Sequence, residues 1–281
     1  LLVRLPRVLS VALVGAALSL CGAAMQGLLR NPLAESSTLG VSSGASLGAV
    51  LAIAFGLTFP GLPFAGTMVM AILFAFLSLM LILSLAYRLD NSLSTNTIIL
   101  IGVIFSMFAT SLISFFTVFA QDKVKTITFW TMGSLAGSSY ANALTLFIAL
   151  LLCGGLILRY AGELNAFALG EDNARHVGVN VKRVKMAVMI AVAVLTGMCV
   201  SIGGSIGFVG LVIPHMARMI VGPNHRRLLP YSLFFGAIFL LFADLLCRTA
   251  LRPMELPIGV VTSFVGSIAF VYIFYRQRKG R

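Results

Sequence analysis

Nine predominantly apolar stretches follow one another along the chain, parted by short polar or glycine-rich breaks, and they leave few architectures open to it. A run of about 20 apolar residues crosses the hydrocarbon core as a helix, because only a helix pairs every backbone donor and acceptor within the segment. The nine run over residues 8–29, 39–57, 65–86, 97–119, 140–158, 186–202, 206–221, 231–247 and 257–275. The second, sixth and seventh are short or glycine-rich. Only 10% of residues are charged, against about 25% in an ordinary soluble domain, and mean hydropathy is +1.05. The reading is an all-α integral membrane protein forming one domain over residues 1–281.

An odd number of spans puts the termini on opposite sides, and the lysine and arginine bias orients them. With the tail YRQRKGR in the cytoplasm, all but six of the 20 basic residues fall inside; Arg4, Arg7, Lys123, Lys125, Arg248 and Arg252 remain outside. The +12 net charge is then a topology signal together with attraction to anionic lipid, not a nucleic-acid footprint. The chain starts at Leu1, on the outer side in this scheme. One further helix ahead of it would restore a cytoplasmic N-terminus, so a first helix is expected to be missing. The four cysteines all fall in or beside spans without C-x-x-C spacing, as small apolar packing residues do.

Between Arg159 and Lys185 lies the longest polar stretch, with the core LGEDNARHVGVNVKRVK. Acids at its start, Gly178 where a helix would end and a basic finish at Lys182, Arg183 and Lys185 predict two short helices around a turn. Such a loop is either a solvated connection or a site gripped by a partner from the water side. Gly40, Gly44 and Gly48, and again Gly203 and Gly207, recur every four residues, a spacing that lets helix backbones approach closely. Pro32 and Pro214 remove backbone donors near or within the membrane, so neighbours must satisfy the freed carbonyls. The segment from Gln121 to Ala141 reads as an outer loop carrying a short interfacial or partly re-entrant helix.

Arg4 and Arg7 share a helix face at the outer mouth of the first span, and Arg248 and Arg252 repeat the arrangement at the end of the eighth. They either snorkel to head groups or receive carboxylates from a soluble partner. Asp244, four residues before Arg248, is read as half of an intrahelical ion pair, with a proton relay as the alternative. Glu255 could pair with Arg248 or Arg252. His215 has no second histidine at ligand spacing and is read as a packing residue. No H-E-x-x-H occurs, and no lysine follows a glycine as a Walker A loop requires, so ATP would have to be bound by another chain.

RLPRVL, GAAMQGLLRNPLAE followed by LGVSSGASLG, then LGEDNARHVGV, GFVGLVIPHMAR, NHRRLLP and ELPIGVVTS occur in this order over essentially the whole chain. Together they resemble the FecCD or BtuC-like permease subunits of bacterial and archaeal ABC importers for iron-siderophores, heme and vitamin B12. The resemblance implies a multi-helix permease of about ten helices, nine of them visible here. It implies a permease homodimer in the plasma (inner) membrane, multi-pass with a cytoplasmic C-terminus, two ATP-binding cassette subunits below and an extracytoplasmic substrate-binding protein above.

Carried over motif by motif, Arg4, Arg7 and Arg248 correspond to the outer arginines that meet the binding protein. Gly170, Glu171, Asp172, Ala174, Arg175, His176, Gly178 and Val179, within the 159–185 segment, correspond to the coupling helices held by the ATPase. Asn31 and Leu33, with Thr95 and Asn96, match the cytoplasmic gate, although Ser94 or Thr95 could equally cap a helix. No cofactor or metal is implied, and the chain is expected not to be an enzyme. Iron-siderophore is the expected cargo, with heme, cobalamin and molybdate open. The competing reading is an ion-coupled secondary transporter working through Asp244.

Overall fold

In the computed structural model, residues 4–36, 39–57, 65–90 and 94–279 are described, the last few of them and Ala65 by backbone alone. The described residues form twelve helices and no strand. They are α1 Arg4–Leu28, α2 Val41–Phe55, α3 Ala65–Leu89, α4 Thr95–Phe119, α5 Val124–Thr131, α6 Tyr140–Arg159, α7 Ala161–Ala168, α8 Glu171–His176, α9 Val181–Gly203, α10 Val209–Val221, α11 His225–Thr249 and α12 Ile258–Lys279. Six of them, α1, α3, α4, α6, α9 and α11, are long and apolar enough to cross a membrane, and α2, α10 and α12 are shorter apolar helices. All nine predicted spans therefore coincide with apolar helices. The basic tail that set the predicted orientation, Arg276 to Arg281, lies outside the described side chains.

α1 is the hub. It packs on α11, α10, α9 and α6, and its residues from Val14 to Leu28 are buried without a break. Two glycine pairs set the crossings. A Cβ on Gly15 would collide with the Gly236 carbonyl of α11 and lie 2.7 Å from the Leu240 Cβ; a Cβ on Gly22 would collide with the Gly210 carbonyl of α10. Lipid tails are as apolar as leucine, so close van der Waals packing of this kind, and not burial from water, holds membrane helices together.

On α2, Gly44 and Gly48 meet the α3 backbone at Phe74 and Met70, as their spacing predicts. The Gly203–Gly207 pair behaves differently. Gly204, at φ +69°, stops α9, and Gly207 sits in the loop before α10, so the two do not share a helix face.

Pro214 lies inside α10 and leaves the Gly210 carbonyl without its helical donor. Gln26 of α1 supplies the replacement. Its Nε2 donates to the Leu211 carbonyl at 3.1 Å and reaches the Gly210 carbonyl at 3.5 Å, while its Oε1 accepts from Arg218 Nη2 at 3.2 Å. His215 packs edge-on against Phe270 of α12, with ring centroids 6.3 Å apart. Cys21, Cys199 and Cys247 are buried and Cys153 half-buried, all as free thiols. The Gln121–Ala141 region forms a 3-10 turn at Gln121–Lys123 and then α5, whose end is tied to α12: Met132 and Gly133 carbonyls accept from Gly259 and Ile258.

Candidate functional site

At the end of the bundle where α1 begins, four charged side chains from two distant parts of the sequence come together. Arg7 donates from Nε and Nη2 to Asp244 Oδ1, at 3.0 and 2.8 Å, and from Nη1 to both Glu255 oxygens, at 3.2 and 2.9 Å. Asp244 Oδ2 lies 3.1 Å from Arg248 Nε, a charge contact in which the Arg248 N–H points instead at the Asp244 carbonyl. The Asp244 carboxylate is only 2% exposed, Arg7 12% and Glu255 49%. The intrahelical Asp244–Arg248 pair expected from the sequence is present. Glu255, however, pairs with Arg7, and not with Arg248 or Arg252. The helix crossing set by Gly15 and Gly236 brings Arg7 over Asp244, and i, i+4 spacing cannot reveal that. Arg4, one turn earlier on α1, stays exposed, as does Arg252.

At the opposite end, α7 and α8 fill the polar stretch. α7 is anchored by Leu164 and Phe167, both fully buried, and by Asn165, whose Oδ1 accepts from the backbone N–H and Nδ1 of His225 at the start of α11. α8 is short and bracketed by Gly170 at φ +108° and Gly178 at φ +88°, conformations that glycine adopts without strain. Its acids Glu171 and Asp172 open the helix and Arg175 and His176 close it, as the dipole favours. The basic finish at Lys182, Arg183 and Lys185 is not a second short helix. It belongs to the first two turns of the 23-residue α9, begun by Asn180, whose side chain accepts from Arg183 N–H at 3.0 Å.

Burial divides the predicted coupling residues. Asp172, Arg175, His176 and Gly178 are exposed, Gly170, Glu171 and Val179 are partly covered, and Ala174 is fully buried. Flanking α8, Leu169 and Val177 are each 70% exposed. Their signal in the sequence was faint: single apolar residues at the two shoulders of an otherwise polar loop. Two exposed aliphatic side chains beside charged ones make the mixed apolar and polar surface that protein partners bury.

Asn31 and Leu33 lie in the turn after α1, where Asn31 Oδ1 accepts from the Leu33 N–H at 2.9 Å and Leu33 is half exposed. Arg30, beside them, brings Nη1 within 3.7 Å of where a Gly170 Cβ would stand, so this turn and α8 are neighbours. Thr95 and Asn96 open α4. Ser94 is the cap, accepting from the Thr97 N–H, while the Thr95 hydroxyl is buried and has no hydrogen-bond partner among the described residues. Between the two ends, a cavity of about 460 Å³ is lined by Glu35, Thr131, Ser205, Phe208 and Ser263 among others.

Among the described residues no group of three or more His, Cys, Asp or Glu is placed to hold a metal ion. Gly40–Gly44 and Gly203–Gly207 both match G-x-S-x-G, but among the described residues there is no strand to form the strand-to-helix elbow that would expose a nucleophilic serine.

The chain is thus a polytopic helical bundle with a charge network at one end and a projecting, glycine-hinged polar helix at the other. The FecCD transport family model matches residues 1–276. The ABC transporter permease YvrB of Bacillus subtilis (strain 168) is 45% identical over 99% of this chain and 79% of its own. The molybdate import permease MolB of Haemophilus influenzae is 38% identical over 99% and 81%. A solved inward-facing, metal-chelate-type ABC transporter superposes with a TM-score of 0.90 at 37% identity, covering 98% of this chain and 86% of that one. The chain belongs to the FecCD transport family: it is a permease subunit of an ABC importer, a multi-pass plasma-membrane protein that is not itself catalytic. Membership implies ATPase and binding-protein partners.

Proposed function

We propose that two copies of this chain form the conduit through which a metal chelate, foremost an iron-siderophore, passes from a binding protein at the Arg4 end to the cytoplasm at the α8 end. ATP binding in two separate cassette subunits pushes α8, and packed helices carry that shift to a gate formed by Asn31, Leu33, Thr95 and Asn96. The observation that carries the reading is α8 itself. It projects Asp172, Arg175 and His176 between the exposed shoulders Leu169 and Val177, while its inner side is covered. Cargo selectivity rests with the binding protein; a relative named for molybdate import argues that this scaffold is not tied to metal chelates alone.

The deciding experiment is Gly178→Pro. Proline holds φ near −65°, far from the +88° found here, so the substitution re-aims α8 without touching the membrane core. ATPase copurification should fall at least about tenfold. An undiminished complex would remove α8 from the docking role.

At the other end, Arg4 and Arg248 are proposed to receive carboxylates of the binding protein, with Arg7 behind them already held by Asp244 and Glu255. Arg4→Glu should weaken binding-protein association about tenfold, with the loss growing as salt is lowered. Titration of the binding protein onto the permease in nanodiscs reads this out, and equal affinity at low salt would refute it.

A further inference from the structure

We propose that the Glu171–Lys185 ion pair is the strut that carries movement of α8 into the membrane bundle, which makes Lys185 a positioning residue for the transport cycle. The proposal rests on α8 being the segment the ATPase grips. Lys185 Nζ lies 2.8 Å from Glu171 Oε1, with the lysine 1% and the glutamate 16% exposed.

Among the described residues, the other side-chain polar contacts of α8 stay within its own segment. Asp172 pairs with Arg175 at 3.3 Å, and Asn173 donates to the Leu169 carbonyl. Packing adds little, because the helix is six residues long and the side chain it buries fully is the single methyl group of Ala174. A helix this short, hinged by Gly170 and Gly178, would answer a push by swivelling unless something stiff resisted. Glu171 sits in its first turn, directly beside one hinge.

The site of Lys185 argues the same way. It belongs to the N-terminal part of α9, where a cation opposes the helix dipole, and burying an ammonium group there is unfavourable without a partner. Glu171 supplies that partner. α9 in turn packs along α3, α6, α1 and α2, and Lys182, one turn earlier, lies 4.9 Å above the Tyr87 ring of α3. Displacing Glu171 therefore displaces the base of a helix in contact with four others in the bundle. One of these is α1, which leads directly into the Arg30–Leu33 turn.

The test uses the complete transporter in liposomes, with its ATPase and binding protein, and reads how far the unliganded binding protein stimulates ATP hydrolysis. This signal must travel the length of the permease and needs no knowledge of the cargo. Lys185→Gln, buried in α9 away from the docking surface, is expected to abolish the stimulation while the ATPase still copurifies, and Glu171→Gln is expected to abolish the stimulation as well. The exchanged pair, Glu171→Lys with Lys185→Glu, should recover most of it, because the contact and not either charge alone is what matters. Full stimulation in Glu171→Gln would overturn the proposal. So would variants that only lower the thermal unfolding midpoint in detergent and leave stimulation intact, since that is the mark of a purely stabilising pair. Failure of the docking reading is separately visible, as Gly178→Pro retaining its ATPase.

Discussion

Gly22→Ala is expected to prevent the bundle from assembling, although the substitution adds one methyl group and improves helix propensity by about 1 kcal/mol. The new Cβ would collide with the Gly210 carbonyl, and the next nearest atoms are the Gly210 carbon, not a flexible side chain that could swing away. α1 would have to move off α10, and that movement would reach the Gly15–Gly236 crossing with α11 and the Gln26 amide that serves the carbonyl freed by Pro214. Overpacking a well-filled core typically costs about 1–3 kcal/mol, and a backbone clash at the hub of the fold belongs at or above the top of that range. Gly155→Ala on α6 is the control. A Cβ there meets nothing within 4 Å, so the same change should leave stability within about 1 kcal/mol of the parent. Yield of monodisperse protein in detergent and its unfolding midpoint distinguish the two, and equal behaviour would show that the α1–α10 contact is not what fixes the bundle.

Spans, their number and the polar stretch were legible because each depends on residues contiguous in the chain. A run of apolar residues or a cluster of charges announces itself locally. The glycine crossings did not, since Gly15 and Gly236 are lone residues on separate helices and only the fold shows that they face each other. The same reason hid the partners of Arg7. Local spacing correctly joined Asp244 to Arg248, four residues on, but the stronger contacts of Asp244 come from Arg7, at the other end of the chain. Local spacing also misplaced Gly207, because a four-residue repeat looks the same whether the helix continues or, as at Gly204, turns into the left-handed region and stops. In the polar stretch the sequence indicated a water-facing segment and its bounds, but not which side chains face outward. Glu171 and Asp172 are adjacent acids of one helix, yet one turns toward Lys185 and the other is almost fully exposed.

Asp244→Asn should destabilise the protein by about 3–5 kcal/mol, the usual loss when one partner of a buried ion pair is removed. The amide keeps the shape of the carboxylate but not its charge. Arg7 and Arg248 would then face each other across a neutral group, with Arg7 left to Glu255, which is half in solvent and screened accordingly. If the cost comes from uncompensated arginine charge, removing the arginine as well should relieve it: Arg7→Met in the Asp244→Asn background should recover much of the stability, since replacing both members of a buried pair by less polar groups is often near neutral. A double-mutant cycle on the unfolding free energy in detergent isolates that coupling. The same pair of variants separates this permease from an ion-coupled transporter working through Asp244. A proton relay predicts that Asp244→Asn keeps a stable fold and loses only pH-dependent uptake, and that Arg7→Met cannot restore anything. An aspartate held between two guanidinium groups at 2.8 and 3.1 Å is instead part of the frame on which α1 and α11 are fastened, so loss of stability with rescue by the second substitution is the expected result.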